Sequence, residues 1–213
     1  IDRLANSDPP ADRLGRCRVV YVSPLKALAV DVERNLRAPL AGIRHAAHRL
    51  GLPEPDIGVA LRSGDTPAEA RRKFARTPAD ILITTPESLF LLLTSQARDA
   101  LRSVETVIVD EIHAVAGTKR GAHLALTLER LDALVTGQPN DRVTPKRQPV
   151  QRIGLSATVR PVEEVARFLC STAPVSVVNP PYAKDFDLKV VVPVEDLRDL
   201  GTSVPPPGQE LRA

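Results

Sequence analysis

The sequence has no methionine and no tryptophan, only two cysteines, and 3% aromatic residues. Each shortage excludes something. Cys17 and Cys170 lie far apart, and neither stands in a metal-ligand spacing. That argues against a disulfide framework and a zinc site and leaves two reduced, packed thiols. No apolar run approaches the roughly 20 residues of a membrane-spanning helix, and no charged-then-apolar signal opens the chain, so the expectation is a cytoplasmic protein without a membrane partner. Methionine is also missing from the first position, which is Ile1; the expectation is a piece of a longer protein.

What is present suits one α/β domain. A chain of 213 residues with 43% hydrophobic and 26% charged residues can bury an ordinary core. The net charge of +3, with Arg far outnumbering Lys, permits contact with a phosphate backbone without requiring it. β-branched or apolar runs predict strands at Arg18–Val22, Ile57–Leu61, Ile81–Thr84, Val107–Val109 and Ile153–Leu155, with two more at Val175–Val178 and Leu188–Val194. Between them the apolar spacing is helical. Leu25, Leu28, Ala29, Val32 and Leu36 predict one helix, and a second runs from Pro39 to Leu50, ended by Gly51 and Pro53. A basic helix starts near Pro67 and carries Arg71, Arg72, Lys73 and Arg76, a pattern more often found on a solvated face. Leu89–Leu93 opens a buried helix, Leu124, Leu128, Leu131 and Val135 mark another over Thr118–Thr136, and Pro161–Leu169 is the last. Strand and helix alternate with short loops, which predicts a doubly wound, mostly parallel sheet. Residues 1–17 read as an amino-terminal remnant, residues 18–195 as the domain, and residues 196–213, with Pro205-Pro206-Pro207-Gly208, as a linker.

The chemistry concentrates where strands end. Val107-Ile108-Val109 runs directly into Asp110-Glu111, which places two carboxylates at the carboxyl edge of a strand, where open parallel sheets bind ligands. Carboxylates with unlike tasks suit metal-dependent phosphoryl transfer, Asp110 holding Mg²⁺ on a nucleotide and Glu111 orienting or deprotonating water. An acidic first turn of the next helix is the alternative. Other strands end in Ser23-Pro24, Arg62-Ser63-Gly64-Asp65-Thr66, Thr84-Thr85-Pro86-Glu87-Ser88 and Ser156-Ala157-Thr158. Polar clusters repeated on one edge mark it as a working surface.

Taken together and in this order, those clusters resemble the motifs of a superfamily 2 DExH-box helicase. Asp110-Glu111-Ile112-His113 is similar to the DExH box, Ser156-Ala157-Thr158 to motif III, Thr84 to Ser88 to motif Ib, and Ser23-Pro24-Leu25-Lys26-Ala27-Leu28 to motif Ia. Tyr21 to Val32, the Arg-Ser-Gly-Asp-Thr turn and Lys119-Arg120-Gly121-Ala122-His123-Leu124 narrow the resemblance to the large helicase-related family of bacterial DNA helicases, over roughly residues 18–194. The resemblance implies a RecA-like (P-loop NTPase) fold, here the first helicase domain in truncated form. The implied activity is ATP hydrolysis coupled to translocation on single-stranded DNA in DNA repair, with ATP and Mg²⁺ as cofactors. Asp110 then binds the Mg²⁺, Glu111 activates water, and His113, Ser156 and Thr158 couple nucleotide state to the DNA grip. Ser23, Pro24, Lys26, Arg62, Gly64, Asp65, Thr66, Thr85, Pro86 and Glu87 hold the strand through hydroxyls, amides and charge without reading bases. Structural duties compete with each assignment: a satisfied histidine at His113, and caps or turns for the hydroxyl, proline and acidic positions.

The pattern also has gaps. A phosphate-cradling loop needs Gly-Lys, and no such pair occurs; the second RecA-like domain that the resemblance implies is expected to lie outside these residues. The expectation is that the 213 residues alone neither bind ATP tightly nor unwind a duplex, and that the missing strand and helix belong in the middle of the sheet. A non-catalytic nucleic-acid-binding fragment, a nucleotide hydrolase indifferent to DNA, and an RNA or DNA-RNA hybrid substrate stay open.

Overall fold

The computed structural model describes residues 1–7, 10, 12–137, 148–157, 159–170, 173–179 and 188. Short apolar runs become five strands: β1 (Val19–Val22), β2 (Val59–Arg62), β3 (Ile81–Thr84), β4 (Thr106–Val109) and β5 (Gln151–Gly154). All pairings are parallel and the order is β2-β3-β1-β4-β5, with Val19 opposite both Ile81 and Thr106. The five pair without interruption, and among the described residues β5 has a neighbour on one side only. β3 is buried along its whole length, which is why Ile81-Leu82-Ile83 reads as a continuous apolar run rather than an alternation.

Helices cover both faces, as the alternation predicts. On one side Val20, Val22, Leu82, Val107 and Val109 pack with Leu89 and Leu92 of α4 (Pro86–Leu93) and Leu124, Leu128 and Leu131 of α5 (Lys119–Thr136). On the other, Ile81 and Ile83 meet Ala29 and Leu40 of α2 (Lys26–Arg49). The shorter helices are α1 (Asp2–Ala5), α3 (Ala68–Arg76) and α6 (Val162–Leu169). Phe90 of α4 meets α5 twice, edge-to-face with His123 at 4.6 Å and under the Arg130 guanidinium at 5.5 Å.

Two sequence expectations need correction. The helix break at Pro39 does not occur: α2 is continuous through it. Pro39 is exposed, and its missing N–H costs one helical bond, while Val32, Leu36 and Leu40 keep a single stripe on the sheet. Val175–Val178 is not a strand; Val178 is 88% exposed, and a β-branched run forms a strand only where a sheet edge and a packing surface receive it. The strand expected at Leu188–Val194 and the linker at residues 196–213 fall outside the described residues, Leu188 excepted. Contacts group Ile1–Val177 as one compact unit and Val178–Ala213 as another.

The amino edge of the sheet is tied by a buried carboxylate. Asp80, just before β3, accepts from the Gly58 N–H at 2.7 Å and from Arg16 Nε at 2.9 Å, with the Arg18 guanidinium 3.6 Å away. Cys17 lies between those two arginines with no exposed surface, and burial, reinforced by Asp80, pushes its thiol up to about 12.

Candidate functional site

Because every strand runs the same way, the segments after β1 to β5 emerge on one edge. The Asp110 N–H donates to the Val22 carbonyl at 2.9 Å, continuing the β1–β4 ladder, and its Oδ1 accepts the Glu111 N–H at 2.9 Å. Tyr21 feels this carboxylate: burial first, and Asp110 second, raise the phenol above its ordinary value. Register explains the meeting. Tyr21 is opposite Ile108, so Asp110, two residues on, lies diagonally across the same face.

Glu111 is the one non-glycine residue with a positive φ among the described residues, at φ 45° and ψ 41°. This left-handed step opens a 3₁₀ turn at Ile112–Ala114 instead of the acidic helix start that was the alternative reading. It also brings Glu111 Oε2 to 3.3 Å from His113 Nε2. On the other side of the ring, His113 Nδ1 accepts the Ala157 N–H at 3.4 Å and lies 3.2 Å from Ser156 Oγ. An accepting Nδ1 assigns the proton of a neutral ring to Nε2, aimed at Glu111. The imidazole is part-exposed and spans two sheet segments, so it is not a histidine satisfied inside the core. Backbone bonds fix the span: Leu155 N–H to the Val109 carbonyl at 2.9 Å, and Ile112 N–H to the Leu155 carbonyl at 3.0 Å. Gly154 keeps the approach close, since a Cβ there would stand 3.2 Å from Ile112 Cδ1.

A second cluster joins the segments after β1 and β2. Lys26 Nζ pairs with Asp65 at 2.8 and 2.9 Å beside Gly64. The Ser63 N–H donates to Thr66 Oγ1 at 2.8 Å, which closes the turn. Ser23 is fully buried and its hydroxyl donates to the Leu25 carbonyl at 3.2 Å; Pro24 is buried too. Sequence reasoning set Arg71 aside with a solvated helix face, yet its guanidinium donates to the carbonyls of Thr66 and Gly64, both at 2.7 Å. The available signal was its position: from the first turns of α3 a long side chain reaches back onto the preceding loop. Burial and the nearby Arg71 together lower the Arg62 guanidinium from its ordinary value.

The third cluster is the start of α4. Thr85 is its N-cap, with Oγ1 accepting the Ser88 N–H at 3.4 Å and donating to Ser88 Oγ at 3.1 Å, and Pro86 takes the first helical position. Glu87 faces α5, where the Arg120 fork engages both its oxygens, the Nη2–Oε2 bond measuring 2.9 Å. That pairing holds the Glu87 carboxyl below its ordinary value. Thr158 lies outside the described residues.

No group of three or more His, Cys, Asp or Glu among the described residues is arranged as a metal cage. The donor set suits Mg²⁺ nonetheless, because that ion is commonly held by one or two carboxylates together with substrate phosphates.

An all-parallel sheet carrying an acid pair, a histidine bridge to the neighbouring strand and polar loops along one edge defines a RecA-like helicase domain. The chain belongs to the DEAD/DEAH box helicase family, whose model matches residues 2–166. It is 62% identical over 200 residues to the Lhr helicase/probable uracil glycosylase of Mycolicibacterium smegmatis, covering 94% of this chain and 12% of that protein. It is 53% identical over 196 residues to the Lhr helicase/uracil glycosylase of Escherichia coli, covering 92% of this chain and again 12% of the relative. Among solved structures, Mycobacterium smegmatis helicase Lhr bound to ssDNA and AMP-PNP aligns at 61% identity with a TM-score of 0.75, over 93% of this chain and 23% of that one. The chain thus spans about an eighth of the length of those curated relatives.

Proposed function

We propose that this chain is the first RecA-like domain of an ATP-dependent motor that moves along single-stranded DNA in the service of DNA repair. The observation that carries the reading is the chain of contacts Glu111–His113–Ser156, at 3.3 and 3.2 Å, between the acidic box and the segment after β5. In this reading Asp110 holds Mg²⁺ on the nucleotide, where the ion stabilises the charge developing on the phosphates. Glu111 orients and deprotonates the attacking water. His113 donates to Glu111 and faces Ser156, so a shift of either segment changes how that carboxylate is held. Thr158 is assigned to the same coupling by its place in Ser-Ala-Thr. The remaining edge residues hold the strand: Lys26, Arg62 and Arg71 contribute charge, while Ser23, Pro24, Gly64, Asp65, Thr66, Thr85, Pro86 and Glu87 shape the turns whose amides face phosphates. The ssDNA and AMP-PNP in the similar Lhr structure support the choice of partner and nucleotide.

No Gly-Lys pair occurs in the 213 residues, so the isolated chain is expected neither to bind ATP tightly nor to unwind duplex DNA. Tight, Mg²⁺-dependent ATP binding by this chain, read by calorimetry, would overturn that. The wider reading is tested in the full-length protein by ATP hydrolysis with and without single-stranded DNA, beside Glu111→Gln. Strong stimulation that disappears in the variant supports a DNA-dependent motor with Glu111 in the chemical step. Hydrolysis indifferent to DNA removes the motor reading, and a single-stranded RNA arm in the same assay separates the two nucleic acids.

A further inference from the structure

The structure assigns a task to Arg120, which the reading above leaves outside the site. We propose that Arg120 is a positioning residue for the strand-holding edge: it neutralises Glu87 and fixes the Thr85-Pro86-Glu87 turn against the amino end of α5. The inference rests on the proposed motor function and deepens it.

Three observations converge. First, Glu87 stands in the opening turn of α4, two residues after Thr85. A carboxylate there suits the helix dipole, but it repels a phosphate approaching the same turn. Both of its oxygens are taken up by Arg120, and this hydrogen bonding is the main reason that its carboxyl stays below the usual range. A planar fork meeting a carboxylate in two places sets orientation as well as charge, which a lysine at the same place would not do.

Second, the backbone on either side of Arg120 is firmly held. The Thr118 hydroxyl caps α5, accepting the Gly121 N–H at 3.0 Å, and donates to the Val115 carbonyl at 2.8 Å. Gly121 packs so closely on that carbonyl group that a Cβ would lie 2.8 Å from its carbon. Third, Val115 directly follows the Ile112–Ala114 turn that leaves the acidic box. The path from Glu111 to Thr85 is therefore a short run of fixed backbone ending in one ion pair. On that path the crossing from α5 to α4 is the Arg120–Glu87 pair, which is part-exposed, so its charges can be exchanged without opening the core.

The test is charge exchange in the full-length protein, using an unlabelled oligothymidine strand and reading the DNA concentration that gives half-maximal stimulation of ATP hydrolysis. R120E sets two carboxylates face to face and is expected to raise that concentration about tenfold; R120K, which keeps charge but not the fork, is expected to fall between R120E and wild type. The exchanged pair E87R/R120E is expected to return to within about threefold of wild type, and E87R alone to lie further off than the exchanged pair. Thermal melting of each variant, expected to match wild type within a few degrees, separates positioning from unfolding. A responsive wild type whose R120E variant keeps the same half-maximal concentration overturns the assignment while leaving the motor intact. So does an exchanged pair no better than R120E. A wild type that ignores the strand removes the motor reading, and this inference with it.

Discussion

Glu111 presents its carboxylate from a left-handed backbone, a conformation that costs a non-glycine residue of order 1 kcal/mol or more. The step turns the side chain toward His113 instead of along the next helix. Glu111→Gln keeps the shape and removes the base of the proposed mechanism, so hydrolysis in the full-length protein is expected to fall about 100-fold or more with strand binding retained, as steady-state rates and DNA anisotropy would check. At the opposite edge, Asp80→Asn takes a charge from a site 2% exposed and leaves Arg16 and Arg18 facing an amide. Loss of a buried partner of this kind is expected to cost about 3 kcal/mol, measured as a lower urea midpoint. Cys17 gives a pH signature. Its folded thiol titrates at about 12 against 9.0 for the free group, so the folded state keeps a proton that the unfolded state releases. The resulting stability is complete below pH 9 and is lost as pH climbs toward 12, at up to about 1.4 kcal/mol per unit. Cys17→Ala is expected to flatten that part of the curve, seen as a smaller fall in melting temperature over the same range.

Elements show where sequence reading works and where it stops. β3 and β4 were legible because their apolar runs have no other use, and α5 because Leu124, Leu128 and Leu131 recur at helical spacing and are all buried. Leu128→Ala is expected to destabilise by about 3 kcal/mol in a urea melt, since it opens a cavity between α5 and the sheet. Val175–Val178 misled because a β-branched composition says nothing of whether an edge is free to receive it. Pro39 misled in the opposite sense, because the packing stripe of α2 outweighs one lost bond. At the site, the acidic box and its histidine were legible as a motif, whereas Arg71 and Arg120 were not: both act across space, on a loop and on another helix, and no local pattern records that reach. Gly121 belongs with them. It stands in the Lys119 to Leu124 run that narrowed the resemblance, yet nothing in that run tells that only the absence of a Cβ lets α5 start against the Val115 carbonyl. Gly121→Ala is expected to destabilise by about 2 kcal/mol, measured by urea unfolding, despite alanine's better helix propensity.

At the scale of the molecule, the proposed function puts the chemistry on one edge of the sheet while the other is a structural tie, so substitutions are expected to divide accordingly: those at the carboxyl edge change rates, those at the amino edge change stability. Thiol labelling offers a readout of the second. Cys17 has no exposed surface and Cys170 is part-exposed, so Cys170 is expected to react first with a maleimide while Cys17 reacts only as the sheet opens, a difference that mass spectrometry of timed samples would resolve. The strand order has a temporal consequence as well. Of the five described strands β1 is made before the others but lies between β3 and β4, and among those strands Val19 has no partner until Ile81 and Thr106 have been made. Its Val-Val-Tyr-Val segment must therefore wait, extended and apolar, while β2 and α3 are synthesised. For these five strands that interval, before β3 arrives to shelter β1, is the exposed stage of assembly.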